Sequence, residues 1–335
     1  MTEISVIGSG AWGTALAQMI AKNGKDVTLW ARRPELAAAI NEKHENTDNL
    51  PEIRLHPALH ATNDLAEAAK ADTVFLVTPA QSMRRILNDI ATLSPKVPPS
   101  LILCSKGIEL KSGQLMSDVA AEIMPKSPIC ILSGPNFARE IAQGQPAATT
   151  LASASRALAE EIQNLLGSPR FRPYIADDIT GVQLSGALKN VIAIAAGIAQ
   201  GLGFGESTRA SLVTRGMAEI VRLGCAMGAQ AETFLGLSGM GDLMLTCTSL
   251  QSRNYALGLA LGQGEKHDDL RTKSRAVTEG VHTATAALEL ARRHNIEMPV
   301  ANAVHQCLEE GRRLDDAIKE MLNRPLREEK VNQTR

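Results

Sequence analysis

The 335 residues give length enough for two domains, and a formal net charge of −1 with 21% charged residues leaves no global field to draw nucleic acid or an anionic membrane. Aromatic residues make up only 3%, too few for a base-stacking platform. The five cysteines, at 104, 130, 225, 247 and 307, have no Cys-x-x-Cys spacing and no signal-peptide pattern precedes them, so they read as reduced thiols of a cytoplasmic protein. No uninterrupted apolar run reaches the roughly 18 residues of a membrane span, since Lys189-Asn190 breaks the longest one; a soluble protein without integral membrane contact is expected.

In chain order, Ile4 to Ile7 reads as an apolar strand that runs directly into Gly8-x-Gly10-x-x-Gly13. That spacing binds dinucleotides: the first glycine allows the tight turn, the second lets backbone approach the pyrophosphate, and the third lets the helix pack close to the strand. Ala11 to Ile20 follows as the helix, Asn23-Gly24 as its stop, and Asp26 to Trp30 as the second strand. Where the NAD form of this unit carries an acidic residue, about 20 positions after the glycines, the chain has Ala31-Arg32-Arg33. Two guanidiniums suit a 2′-phosphate, so NADP(H) is favoured and NAD(H) possible.

Strands are expected at Thr73 to Val77, Leu101 to Cys104, Ile129 to Leu132, Ala147 to Leu151 and Phe171 to Ile175. Between them lie helical patterns at Ser82 to Leu93, Gln114 to Ile123 and Arg156 to Leu166. This alternation predicts an α/β domain with a doubly wound, mostly parallel sheet over residues 1–178. Segments of helical length then dominate, at Gly181 to Gln200, Ser207 to Met227, Asn254 to Leu261, Gly280 to His294 and Val300 to Glu310. They predict an all-α domain over 179–323, with a charged tail at 324–335.

Within that helical half, Lys189 and Asn190 stand in a run of small and apolar residues. A buried lysine has its pKa lowered by desolvation, which suits proton transfer to a reacting oxygen near neutral pH. Gly239 and Gly241 are expected to turn the backbone tightly and present Asp242, while Ser252-Arg253-Asn254 precedes a helical pattern and suits an anionic substrate. The strand ends add Thr78-Pro79, Ser105-Lys106-Gly107 and Ser133-Gly134-Pro135-Asn136, on the edge where open α/β sheets bind ligands. No metal is expected: His56-x-x-x-His60 contains Pro57 and lacks a third ligand.

Taken together, the motifs resemble the bacterial NAD(P)-dependent sn-glycerol-3-phosphate dehydrogenase family over nearly the whole chain. They are Gly8-Ser-Gly-Ala-Trp-Gly13, Leu132-Ser-Gly-Pro-Asn-Phe-Ala138, Ala187-Leu-Lys-Asn-Val191, Thr214-Arg-Gly216, Gly241-Asp-Leu243, Thr246-Cys247, Ser252-Arg-Asn254 and Val277-Thr-Glu-Gly280. The resemblance implies a Rossmann domain followed by a helical domain similar to that of 6-phosphogluconate dehydrogenase, in a homodimer. It implies reversible reduction of dihydroxyacetone phosphate to sn-glycerol 3-phosphate for phospholipid synthesis. Lys189 would exchange the proton, Lys106 would meet cofactor and substrate, and Asp242 and Thr246 would complete the catalytic set. Gly134, Asn136, Asn190, Ser252, Arg253 and Asn254 match substrate positions. Gly8, Gly10, Ala11, Trp12, Gly13, Arg32, Arg33, Ala138, Arg253, Val277 and Glu279 match cofactor positions. The chain departs from the family at Asn136, where Ser or Thr is common, and at Glu206-Ser207, where Asp-Asn is common.

Two other readings compete. A two-domain 3-hydroxy acid dehydrogenase would need a carboxylate site in place of Ser252-Arg253-Asn254. A nucleotide-sensing protein would bind NADPH without turnover and would have no use for Lys106, Lys189 and Asp242.

Overall fold

In the computed structural model, which describes residues 3–93, 97–265, 270, 278–325 and 328, short apolar runs form one eight-stranded sheet. Its strands are β1 (Ile4–Ile7), β2 (Val27–Trp30), β3 (Leu59–Thr62), β4 (Thr73–Leu76), β5 (Ser100–Leu103), β6 (Ile129–Ser133), β7 (Ala147–Ala152) and β8 (Phe171–Ala176). Their order across the sheet is β3-β2-β1-β4-β5-β6-β7-β8. Every neighbouring pair is parallel except β6 with β7. In register, Val6 lies between Leu29 and Phe75, all three fully buried, as expected of a central strand covered on both faces.

The covering helices are α1 (Ala11–Lys22), α2 (Pro34–Lys43), α3 (Leu65–Ala68), α4 (Ala80–Thr92), α5 (Met116–Ile123), α6 (Ala138–Gln143) and α7 (Arg156–Leu166). α4 and α7 have the one-sided apolar pattern that the sequence shows, burying Met83, Ile86, Leu87 and Ile90 in one case and Leu158, Ile162 and Leu166 in the other. Several elements have no counterpart in the sequence reading, among them α2 and β3. α2 is alanine-rich and buries only Leu36, Ala37 and Ile40, while β3 is an edge strand with the mixed sequence Leu-His-Ala-Thr.

Contact clustering gives two units, Met1–Ser105 with Met116–Ile179 and Lys106–Leu115 with Thr180–Arg335. Lys106–Leu115 therefore departs from the 1–178 domain drawn from the sequence: Ile108 and Leu115 sit in the hydrophobic core of the second unit, beside α8 side chains such as Leu184 and Leu188. That unit comprises α8 (Ile179–Gly201), α9 (Glu206–Ala226), α10 (Asp242–Thr248), α11 (Arg253–Gly262), α12 (Thr278–Arg293), α13 (Pro299–Leu308) and α14 (Leu314–Leu322). α8 is long and apolar enough to cross a membrane by length and composition, but its apolar window is wholly buried in the protein. Buried all round, it serves as the axis of a core. On α9, Glu219 is buried and accepts the N–H groups of Val300 at 2.7 Å and Ala301 at 3.2 Å, satisfying orphan donors at the start of α13. Burial pushes its carboxyl up to about 7, against the lowering effect of those two N–H groups.

Candidate functional site

In the first unit each glycine of the opening motif has its own surroundings. Gly8 has φ +121°, a backbone angle that side chains rarely tolerate, and a methyl group there would lie 2.6 Å from the Val77 carbonyl oxygen. At Gly13 a methyl group would overlap the Gly8 carbonyl oxygen, so the turn closes onto the helix. Nothing lies within 4 Å of a methyl group placed on Gly10. Gly10 caps α1 without a side-chain bond, leaving the first-turn N–H groups, including those of Ala11 and Trp12, to a ligand.

The loop is braced from the segment after α2. Buried Asn46 donates to the Ser9 carbonyl at 2.9 Å and to Thr14 Oγ1 at 2.8 Å. Beyond this loop, at the carboxyl ends of β4 and β6, Thr78 Oγ1, Ser133 Oγ and Asn136 Oδ1 are buried and have no hydrogen-bond partner among the described residues. Orphaned oxygens at a strand-end edge call for a ligand that donates to them or brings water. The open approach at Gly10 and these orphans fit a dinucleotide.

Other expected positions in this unit divide. Arg33 is exposed and tied to Asp48, with Glu35 3.9 Å away, while exposed Arg32 forms no ion pair among the described residues. Ala138 opens α6, which packs against α1. A methyl group at Gly134 would lie 2.9 Å from both Thr149 Cα and Thr149 Oγ1, so close strand packing alone accounts for glycine there.

In the second unit Lys106, Lys189, Asp242 and Thr246 converge. Asp242, 1% exposed, receives Lys106 Nζ on Oδ2 at 2.6 Å and Lys189 Nζ on Oδ1. Lys189 Nζ also donates to Thr246 Oγ1 at 2.9 Å, and that hydroxyl donates to the Asp242 carbonyl at 2.6 Å. Two of the three ammonium donors of Lys189 are thus directed by protein oxygens, and no acceptor for the third stands among the described residues. Burial brings the Lys189 pKa down to about 8; Asp242 pulls it upward and Lys106 downward. Two cations on one carboxylate leave a local excess of positive charge, suited to an oxygen that becomes negative during reaction.

Asp242 reaches this position by a route other than the expected tight turn. Leu237–Gly241 is a π-helical turn that continues into α10, and Gly241 itself is helical, with φ −58° and ψ −49°. Gly239 is glycine because a methyl group would overlap the Phe234 carbonyl oxygen. π-Turns of this kind recur at functional sites. Nothing in the sequence marks this one.

Ser252 is buried and caps α11, accepting the Tyr255 N–H at 3.2 Å. Arg253 is exposed in the first turn, and Asn254 Oδ1 is buried with no hydrogen-bond partner among the described residues. Asn190, next to Lys189, is buried. Glu279 lies in the first turn of α12, and Val277 falls outside the described residues. At the unusual Glu206-Ser207, Glu206 begins α9 and pairs with Arg209, whose guanidinium donates to the Tyr255 hydroxyl at 3.4 Å. Arg209 and Asn46 escaped the sequence reading because neither belongs to a spacing pattern.

Comparison with known proteins identifies the family. The chain matches the model for the NAD-dependent glycerol-3-phosphate dehydrogenase N-terminus over residues 3–159 and that for the C-terminus over 178–319. A glycerol-3-phosphate dehydrogenase of Rhodospirillum rubrum, named for NAD(P)+, is 53% identical over 98% of this chain and 94% of its own length. A protein of the same name from Parvibaculum lavamentivorans is 50% identical over 98% of each chain. Among solved structures, glycerol-3-phosphate dehydrogenase of Coxiella burnetii superposes with a TM-score of 0.92 at 35% identity, covering 96% of this chain and 99% of that one. With both of its units matched and relatives this similar along its length, the chain belongs to the NAD-dependent glycerol-3-phosphate dehydrogenase family, a family of oxidoreductases.

Proposed function

We infer that the protein reversibly reduces dihydroxyacetone phosphate to sn-glycerol 3-phosphate with NAD(P)H. The observation that carries this reading is the pairing of buried Lys189 and part-buried Lys106 with buried Asp242, which holds the Lys189 ammonium at a pKa of about 8. When bound, the dihydronicotinamide supplies a hydride to the C2 carbonyl carbon. Lys189 Nζ gives its proton to the carbonyl oxygen in reduction and takes it back in oxidation. Asp242 and Thr246 hold that ammonium in place, and Lys106 adds positive charge for the developing alkoxide. Ser252, Arg253 and Asn254 at the start of α11 hold the phosphate through a guanidinium, an amide and a helix N-terminus. Asn190 adds a carboxamide beside Lys189, and Gly134 and Asn136 form the substrate loop of the first unit. A phosphate-holding arginine favours this reading over a 3-hydroxy acid dehydrogenase, and a tuned proton donor favours it over a sensor.

Gly8, Gly10 and Gly13 with Ala11, Trp12 and Ala138 would hold the cofactor, and Arg32 with Arg33 favours NADP(H); Arg253, Val277 and Glu279 match cofactor positions by sequence. The product suits the backbone of glycerophospholipids. Five cysteines with no disulfide among the described residues accord with the cytoplasm, and exposed Leu235, Met244 and Leu250 accord with a homodimer. The deciding assay follows NADPH oxidation with dihydroxyacetone phosphate beside unphosphorylated dihydroxyacetone, then with NADH. Turnover that depends on the phosphate is expected. A folded, NADPH-binding protein that turns over neither ketone would overturn the reading.

A further inference from the structure

α8 and α11 meet backbone to backbone. Gly197 and Gly201 stand one turn apart on α8, and Gly258 and Gly262 one turn apart on α11. A methyl group on Gly197 would overlap the Tyr255 carbonyl oxygen and lie 2.8 Å from Leu259 N, while one on Gly201 would overlap the Leu259 carbonyl oxygen and lie 2.8 Å from Gly262 Cα. From the other side, a methyl group on Gly258 would overlap the Ile194 carbonyl oxygen, and one on Gly262 the Ile198 carbonyl oxygen. All four positions exclude even alanine, for the same reason. Small residues at four-residue spacing on both partners let helices interlock through their main chains.

The contacts also fix direction and register. Ile194 opposes Gly258, and one turn further along both helices Ile198 opposes Gly262, so α8 and α11 run parallel. Carried one turn back, the same register sets Asn254 opposite Asn190, the chain neighbour of Lys189. An independent contact agrees: on α12, a methyl group at Gly280 would overlap Asn254 Oδ1 and lie 2.8 Å from Ile194 Cδ1. At this end Asn254 Oδ1 is buried with no hydrogen-bond partner among the described residues, and Asn190 is 7% exposed.

We propose that the interlock of Gly197 and Gly201 with Gly258 and Gly262 is a ruler: it sets the span between the phosphate-holding first turn of α11 and the ammonium of Lys189, and thereby selects ketones whose carbonyl lies one methylene from the phosphate ester. The four glycines are positioning residues, acting through Arg253, Asn254 and Lys189. This rests on the functional reading above, since it assigns the phosphate to α11. A longer homologue, with two methylenes between carbonyl and ester oxygen, places its carbonyl beyond the fixed ammonium. A methyl group between the helices moves the α11 terminus and leaves every reacting side chain in place.

The test compares Gly262→Ala, Gly280→Ala and the wild type on dihydroxyacetone phosphate, its one-methylene-longer homologue and unphosphorylated dihydroxyacetone, with NADPH affinity and melting temperature recorded for each. Gly280→Ala meets side-chain ends in place of a backbone, so it is the variant that folds if Gly262→Ala does not. Expected is a rise in KM for dihydroxyacetone phosphate of about tenfold or more, with kcat changed by less than about threefold and the preference over the longer homologue narrowed. Turnover of unphosphorylated dihydroxyacetone should stay at the wild-type level, and the NADPH titration shows how far the shift of Arg253 reaches the cofactor. Equal loss on phosphorylated and unphosphorylated ketones, or unchanged KM and chain-length preference in a folded variant, would overturn the ruler. A wild type indifferent to the phosphate would instead overturn the functional reading beneath it.

Discussion

The first unit offers its ligand mainly backbone, whereas the second offers buried charge. At the opening glycines the helix-end N–H groups face an open approach, three orphaned oxygens lie at the carboxyl ends of β4 and β6, and the Arg33 ion pairs lie on the surface. In the second unit a carboxylate that is 1% exposed binds two ammonium groups at once. The difference follows from what each ligand brings. A dinucleotide carries its own reactivity and its own charge, so the protein must supply shape and donors. A ketone brings neither an acid nor a base, so the protein must supply an ionisable group tuned near the working pH.

Removing that group gives the sharpest separation of the two halves. Lys189→Ala should lower kcat by about 10²- to 10⁴-fold while leaving NADPH affinity, measured by equilibrium titration, unchanged. The wild-type pH profile tests the same residue without mutation. With Lys189 as the proposed donor in reduction, ketone reduction should be flat below a pH of about 8 and fall above it. Alcohol oxidation, which needs the neutral amine, should rise through the same pH. Near-normal turnover of the alanine variant would remove Lys189 from the proton path.

The same small substitution at two neighbouring glycines divides binding from folding within the first unit. Gly13→Ala drives a methyl group into the Gly8 carbonyl, an overlap in a packed backbone that costs about 1–3 kcal/mol or more, and a lower melting temperature should report it. Gly10→Ala meets no protein atom within 4 Å and should melt at or slightly above the wild-type temperature. Its NADPH dissociation constant should nevertheless rise by about tenfold, because the methyl group takes the space kept for the pyrophosphate. Unchanged affinity in Gly10→Ala would assign that space to bulk solvent.

These glycines also show what a sequence can and cannot express. Gly8, Gly10 and Gly13 occupy six consecutive positions, so their separate tasks appear as one local spacing, and the strands of the parallel sheet appear as apolar runs for the same reason. The interlocking glycines are split between two helices that only folding brings together. Singly, each looks like a weak point in a helix. Lys189 and Asp242 were legible as candidates by residue type and surroundings, but their ion pair, and the π-helical turn that delivers Asp242, arise from tertiary contact. α2 and β3 stayed hidden because an alanine-rich helix and a short edge strand carry little periodicity.

The finest division falls between the adjacent arginines after β2. On spacing they are equivalent, yet Arg33 is held by Asp48 with Glu35 nearby, whereas Arg32 has no ion-pair partner among the described residues. A guanidinium that must leave a carboxylate to meet a 2′-phosphate gives up one charge-assisted contact to gain another, so its net contribution is small. Arg32 gives up only water. Arg32→Ala should therefore narrow the ratio of NADPH to NADH affinity by about tenfold, the scale of one charge-assisted contact, and Arg33→Ala by about threefold or less. Asp48→Ala sharpens the test: it frees Arg33 and should widen the ratio. If Arg33→Ala is instead the more damaging variant, the Asp48 contact serves to orient the guanidinium for the phosphate, and Asp48→Ala should then narrow the ratio as well.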